Sequence, residues 1–132
     1  MTFRLKMRPF AKGRKLSTDG NKLEEAYNDH LLLLLAAKKI VWFKYKPGSL
    51  CLTTHDGKSV HYRPDFMVMA MDGTLEIHET KGRWEEDAIR IFKIAADTFP
   101  FRFLCVKGNY NRRLKTYDSF TFQDFSGGAD ES

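Results

Sequence analysis

Two acidic residues and one lysine lie on either side of a turn signal in the middle of this chain. Asp65 precedes an apolar run, Asp72-Gly73 interrupts the pattern, and a second apolar run ends at Glu79 and Lys81. An Asp-Gly pair between two apolar runs predicts a β-hairpin, which would bring Asp65 close to Glu79. Because side chains alternate along a strand, Glu79 and Lys81 share one face.

Carboxylate oxygens are the ligands that hard cations such as Mg²⁺ prefer, and an ammonium group can orient a water molecule or a phosphate. The three side chains therefore indicate metal-dependent hydrolysis of a phosphate ester. Acidic and basic residues at strand ends are also common solvated features, so the residue types alone do not decide between the two interpretations. Pro64 directly before Asp65, the turn between the two acids and Gly82 after Lys81 favour the catalytic one.

The flanking residues extend the pattern into two stretches, Tyr62-Arg63-Pro64-Asp65-Phe66 and Glu79-Thr80-Lys81-Gly82-Arg83-Trp84-Glu85. Both stretches resemble those of the PD-(D/E)XK nuclease superfamily, and in particular those of the phage endonuclease I family of Holliday-junction resolvases. In this resemblance Asp65 and Glu79 match the acidic pair, and Lys81 matches the lysine. The resemblance covers residues from about 23 to 107, although the hairpin between the two acids is longer in this chain.

The resemblance also implies a cofactor and further ligands. Mg²⁺ is the expected ion, with Mn²⁺ able to replace it, and the carbonyl of Thr80 is an expected ligand beside the two acids. A glutamate on an upstream helix would support a second ion or hold a water molecule of the first. Glu24 fits the family spacing after Leu23, with Glu25 as the alternative, and the number of ions is left open.

The fold that the resemblance implies is an α/β domain, with a mixed sheet flanked by helices and a restriction-endonuclease-like core. The implied activity is hydrolysis of branched DNA, such as four-way junctions, by a homodimer; whether its subunits exchange elements is left open. Two alternatives also stay open: a nicking or DNA-degrading phage nuclease without junction preference, and a non-catalytic DNA-binding protein on the same scaffold. The expected location is the cytoplasm of a phage-infected bacterial host.

Positive charge is concentrated in the first third of the chain. Residues 1–46 carry eleven Lys or Arg and four Asp or Glu, whereas the remainder carries eleven and thirteen. Residues 1–20 are expected to form a flexible basic arm, with a solubilising tail as the alternative, before one nuclease domain over 21–126 and a frayed tail over 127–132. The cations that suit contact with DNA phosphates are Arg4, Lys6, Arg8, Lys12, Arg14, Lys15, Arg83, Arg112, Arg113 and Lys115.

Hydrophobic periodicity and turn signals predict the elements that would position the acids. A helix is predicted over residues 22–39, with Asn21 as its N-cap, and a second helix over 85–98. Besides the two strands of the hairpin, strands are predicted over residues 40–45, 50–54, 59–63, 101–106 and 119–125. This order of helices and strands predicts a mixed sheet with helices on its faces.

The other reactive side chains form no recognisable site. Cys51 and Cys105 lack metal-ligand spacing and are expected to be buried free thiols. The histidines show no zinc pattern, and alternation sends His78 to the face opposite Glu79. Trp84 either stacks on a base or packs at the start of a helix. The longest apolar run, residues 31–37, is too short to span a bilayer, so no membrane partner is expected.

Overall fold

Two helices and seven strands form within residues 19–53, 56–81 and 84–126, which are the parts of the chain that this computed structural model describes. In chain order the elements are α1 (Asp19–Ala36), β1 (Ile40–Tyr45), β2 (Leu50–Thr53), β3 (Ser59–Tyr62), β4 (Phe66–Ala70), β5 (Leu75–Thr80), α2 (Glu86–Thr98), β6 (Arg102–Asn111) and β7 (Thr116–Asp124). No helix among the described residues combines the length and the apolar character that crossing a bilayer requires.

Five strands form one mixed sheet in the order β1-β4-β5-β6-β7, while β2 and β3 pair in a separate hairpin. The strands β5 and β6 run parallel, because α2 carries the chain back between them, and the other neighbours in the sheet are antiparallel. β5 is therefore the central strand. A mixed sheet flanked by two helices confirms the predicted α/β class.

The helix α1 covers one face of the sheet. Leu23, Tyr27 and Leu31 recur every four residues and form one buried stripe along the helix. Tyr27 and Leu31 pack against Phe66 and Val106 of the sheet. This contact sets the position of α1 over the start of β4.

The helix α2 and the β2–β3 hairpin cover the opposite face. Phe92 and Ala95 of α2 pack with Ile77 and Phe103 of the sheet, and Leu52 of β2 joins the same cluster. Two separate cores therefore lie on either side of β5. Alternate residues of this strand face different cores, which places Glu79 on the α2 side.

The predicted hairpin is confirmed, whereas the predicted start of the first helix is wrong. β4 and β5 pair antiparallel, and Gly73 adopts a φ of 88°, which glycine tolerates at a turn. The helix α1 begins at Asp19, so Asn21 lies inside it and does not cap it, and it ends at Ala36 rather than at residue 39. Residues 17–21 offer capping side chains at several positions, so their composition does not fix the start.

The strands β6 and β7 are longer than the predicted spans over residues 101–106 and 119–125. Their added residues extend past the two cores and are mostly exposed, so they lack the apolar alternation that marks a strand. Asp19 and Gly20, assigned to the basic arm, belong to α1. The rest of that arm, residues 1–18, and the tail over 127–132 lie outside the described residues.

Candidate active site

Asp65 and Glu79 lie side by side at one end of the sheet centre. Asp65 directly precedes β4 and Glu79 is the penultimate residue of β5, so the antiparallel pairing of these strands brings the two acids together. Each residue is about 5% exposed. The backbone N–H of Asp65 donates a hydrogen bond of 3.3 Å to Glu79 Oε1. The structure therefore contains two nearly buried acids whose residues are in direct contact through this hydrogen bond.

Thr80 fixes the orientation of the Asp65 carboxylate. Its backbone N–H and its hydroxyl both donate to Asp65 Oδ2, over 3.0 and 2.9 Å. Oδ1 of the same carboxylate is left to face Lys46, whose Nζ lies 3.2 Å away. The two oxygens thus differ in function, since one is held by the sheet and the other is directed towards a cation.

Glu79 is held between a hydroxyl and an ammonium group. The Tyr62 hydroxyl donates to Glu79 Oε1 over 2.6 Å, and Lys81 Nζ lies 3.4 Å from Oε2. Burial, together with the negative charge of Asp65, raises the pKa of Glu79 to about 7. Burial and the nearby Glu79 raise the pKa of Tyr62, so its hydroxyl stays protonated and remains a donor. Lys81 is one-third exposed and can reach both the acid and the solvent.

Glu24 is the helix carboxylate that faces the site. It accepts a hydrogen bond from the Tyr45 hydroxyl, and its Oε1 lies 3.6 Å from Lys46 Nζ. Burial and the nearby Glu24 raise the pKa of Tyr45, which keeps that hydroxyl a donor. Glu25, the alternative from the sequence, is exposed. The structure therefore places Glu24 beside the acidic pair, connected to Asp65 through Lys46.

Lys46 was not predicted to belong to the site, yet it bridges two of its acids. It follows β1 with a φ of 49°, and its backbone N–H donates to the Asp65 carbonyl over 2.7 Å. A positive φ costs a non-glycine residue about 1 kcal/mol and often occurs at functional positions. Partial burial opposes the charge of Lys46, but the carboxylates of Asp65 and Glu24 outweigh it and raise the pKa of Lys46. Only its place before Pro47-Gly48, where the chain must turn, could have suggested this position.

The site offers carboxylate oxygens, the type of donor that a hard divalent cation prefers. Three carboxylates, from Glu24, Asp65 and Glu79, face the ammonium groups of Lys46 and Lys81, so negative charge is in excess. Burial and, after it, the negative charge of Asp65 raise the pKa of Glu79, and a bound cation would favour the charged form of this carboxylate. Among the described residues, no group of three or more His, Cys, Asp or Glu side chains is close enough to enclose an ion. A cation at the acidic pair would therefore need water or substrate oxygens to complete its coordination, as Mg²⁺ commonly does.

Several other residues singled out in the sequence lie outside the acidic cluster. Trp84 packs against Phe92 and donates to Cys105 Sγ, so the structure supports its packing role near the start of α2. His78 faces α1, where it pairs with the hydroxyl of Tyr27. Both cysteines are free as expected, but the expected burial of Cys51 is wrong, because alternation along β2 turns Leu52 into the core and Cys51 out to the surface.

The candidate DNA-binding cations fall into two groups. Arg112, Arg113 and Lys115 are exposed in the turn between β6 and β7. Arg83 and the six cations of the arm, Arg4, Lys6, Arg8, Lys12, Arg14 and Lys15, lie outside the described residues. Of the candidate DNA-binding cations, the structure therefore describes the three in the β6–β7 turn.

Comparison with known proteins gives no match, whether with family models, curated proteins or solved structures. Function must therefore be inferred from the side chains of the site itself. In the fold, the two buried acids meet near the carboxyl end of the central strand, and the partly exposed Lys81 lies between Glu79 and the solvent.

Proposed function

We propose that this chain is a metal-dependent endodeoxyribonuclease with a PD-(D/E)XK site on a restriction-endonuclease-like core. The observation that carries the proposal is the contact of Asp65, Glu79 and Lys81 at the end of a central hairpin, with Glu24 approaching from α1. Paired acids and a lysine on a mixed sheet supply the ligands and the positive charge that phosphodiester hydrolysis requires. The resemblance of residues 62–66 and 79–85 to this superfamily supports the same conclusion.

Each side chain has a distinct role in this proposal. A divalent cation held by Asp65 and Glu79 would supply Lewis-acid stabilisation of the charge that grows on the phosphate. Thr80 holds Asp65 in one orientation through two hydrogen bonds, and the Tyr62 hydroxyl holds Glu79 through one. Lys81 orients the attacking water or contacts the scissile phosphate, because its ammonium group is adjacent to Glu79 and partly open to solvent.

The proposed substrate is branched DNA, such as a four-way junction, and the proposed cofactor is Mg²⁺, with Mn²⁺ able to substitute. The resemblance to the endonuclease I family supports the junction as substrate, and the exposed cations of the β6–β7 turn suit contact with phosphates rather than with a base sequence.

Two opposed strands require two active sites, so we propose a homodimer, which is usually two-fold symmetric. Light scattering with and without DNA should report twice the mass of one chain, and a monomer in both conditions would contradict the dimer. The proposed location is the cytoplasm of a phage-infected bacterium.

The proposal is tested by cleavage of a four-way junction, a linear duplex and a single strand of matched sequence, each with Mg²⁺ and with chelator. We expect the wild type to cut the junction only when Mg²⁺ is present. Asp65→Asn and Glu79→Gln should lower the rate at least about 10²-fold, on the order of a lost electrostatic contribution to the transition state, while junction binding survives. Glu25→Gln is the matched control for Glu24→Gln, because Glu24 faces the acidic pair whereas Glu25 is exposed.

Each contrary outcome identifies one of the alternatives. Equal cleavage of junction and linear duplex would indicate a nicking or DNA-degrading nuclease without junction preference. Binding of DNA without cleavage in Mg²⁺ or Mn²⁺ would indicate a non-catalytic protein on a nuclease scaffold. Normal cleavage by Asp65→Asn would rule out the proposed site.

A further inference from the structure

The hairpin of β6 and β7 extends well past the catalytic end of the central strand. β5 ends at Thr80, which pairs with Val106, and β6 continues from there to Asn111. Five further residues at about 3.4 Å each give an extension of about 17 Å. Because β5 and β6 are parallel, the extension projects from the same end of the sheet as Lys81. The backbone N–H of Lys81 donates to the Val106 carbonyl.

The end of this hairpin is ordered by its own hydrogen bonds. Asn111 Oδ1 accepts from the backbone N–H groups of Arg113 and Leu114, over 2.9 and 3.1 Å. Asn111 Nδ2 donates to Asp118 Oδ2 over 2.6 Å, which occupies the nearest acid of the hairpin. Below the turn, the rings of Tyr110 and Tyr117 meet edge to face, with centroids 5.2 Å apart. The turn is therefore held in one shape before any partner arrives, which lowers the cost of binding.

The four residues of the turn, Arg112, Arg113, Leu114 and Lys115, form what we call the basic tip. All four are exposed, and Leu114, the one apolar residue among them, is 60% exposed. Polar residues are ordinary at a hairpin turn, but an exposed leucine between cations on a rigid extension is not required by the fold. Three positive charges around one apolar side chain match a duplex surface, where phosphates flank the edges of stacked bases.

We propose that the basic tip contacts the duplex arm of the substrate about 17 Å beyond the end of β5, near which the acidic pair lies, with its cations on phosphates and Leu114 against a base step. This inference rests on the proposed nuclease function and adds a second contact to it. At about 3.4 Å of helix axis per base pair, the distance corresponds to roughly five base pairs. An apolar wedge at that place unstacks bases most easily at a branch, where stacking is already interrupted. The tip thus favours junctions over continuous duplex.

The cations are tested in a protein made inactive by Asp65→Asn. Arg112→Ala/Arg113→Ala should weaken junction binding, and the slope of log affinity against log salt should become shallower by up to about 0.9 per lost contact. Lys38→Ala/Lys39→Ala removes two exposed charges that precede β1, at the end of that strand remote from Lys46, and should leave the slope unchanged. Equal slopes for the tip variant and the wild type would overturn the inference.

The apolar contact is tested separately, with 2-aminopurine placed at successive positions along one junction arm. Wild-type binding should raise its fluorescence at one position about five base pairs from the cut, because unstacking relieves quenching. Leu114→Ala should abolish that rise without changing the salt slope, whereas a rise that persists would refute the wedge. Cleavage by active wild type is measured in parallel. If the wild type cleaves DNA but the tip variants bind the junction as the wild type does, only the inference about the tip fails. If binding depends on the tip but no cleavage is seen, only the proposed nuclease function fails.

Discussion

Lys46 places a positive charge between two carboxylates that the proposed function assigns to metal binding. Its Nζ lies 3.2 Å from Asp65 Oδ1 and 3.6 Å from Glu24 Oε1, while its side chain is about half exposed. An exposed ammonium group can move away at little cost, since such ion pairs contribute only about 0–1 kcal/mol. Lys46 therefore offsets part of the negative charge of the site, and in the proposed function it would compete with an incoming cation.

Lys46→Met should bind Mg²⁺ more tightly, by up to roughly fivefold, because the competing charge is gone and ion pairs of this kind contribute up to about 1 kcal/mol. The same loss should lower the metal-free free energy of unfolding by a similar amount. Calorimetric titration with Mg²⁺ and urea unfolding in chelator measure the two effects. Lys44→Met, which removes an exposed charge from the same part of the chain, is the matched control. Weaker Mg²⁺ binding by the Lys46 variant would show that Lys46 supports the metal instead.

Glu79 should make the metal-free protein less stable as the pH rises. Its pKa is about 7 in the folded chain and 4.5 ordinarily, so between these values the folded state keeps a proton that the unfolded state has released. The contribution of Glu79 is therefore neutral below pH 4.5 and reaches a loss of up to about 3 kcal/mol above pH 7. Chemical unfolding in chelator from pH 4.5 to 8 should show the wild type losing stability relative to Glu79→Gln. Parallel curves for the two proteins would contradict the shift.

The acidic pair and Lys81 could be predicted from the sequence, because a turn signal and strand alternation fix their relative positions. Lys46 and Tyr62 could not be predicted. Lys46 reaches the site through a positive φ after an edge strand, and Tyr62 ends a hairpin outside the main sheet. Contacts of this kind depend on how distant elements pack, which no local pattern records.

The helix α1 approaches the sheet very closely at Gly108. A Cβ at this position would lie 2.4 Å from Leu23 Cδ1 and 2.6 Å from Tyr117 Cδ1, which real contacts do not reach. Leu23 is buried and directly precedes Glu24. The missing side chain of Gly108 therefore lets the start of α1 settle on β6 and bring Glu24 to the acidic pair.

Gly108→Ala should destabilise the protein by about 1–3 kcal/mol, as overpacking of a filled core usually does. It should also shift Glu24 and weaken Mg²⁺ binding, which a titration of the same variant would detect. Leu23→Ala creates room at the same contact, so the double variant should be more stable than the sum of the single changes by at least about 1 kcal/mol. Strictly additive free energies of unfolding would mean that the two residues do not meet.

The order of the elements was predictable, whereas their ends were not. The periodicity of α1 and the alternation of β1 follow from burial against the sheet, which the apolar spacing records. The outer halves of β6 and β7 pair with each other but cover little of either core. Their backbone hydrogen bonds therefore need no alternation of apolar residues that could be recognised in the sequence. The extension that carries the basic tip belongs to this unpredicted part.

The candidate site and the basic tip lie on the same side of the molecule. Lys46 and Lys81 are at the acidic pair, and the tip is about 17 Å further along the direction of β6. Lys38 and Lys39 precede the far end of β1. A duplex that lies along the side with the site and the tip would contact both the acidic pair and the cations of the tip, as the proposed function requires.

Deleting residues 1–15 tests whether the positive charge of the N-terminal segment also contacts DNA, in addition to the basic tip. These residues carry six Lys or Arg and no acid, so in the Asp65→Asn background the salt slope of junction binding should become shallower, by up to about 0.9 per lost contact. A full-length variant with all six changed to glutamine should match the deletion, because charge rather than chain length is responsible. Cleavage by the active form at saturating enzyme should persist, since no proposed metal ligand lies there. Combining the deletion with Arg112→Ala/Arg113→Ala should add the two slope changes, because separate phosphates release separate counterions. An unchanged slope after deletion would instead return residues 1–15 to the role of a solubilising tail.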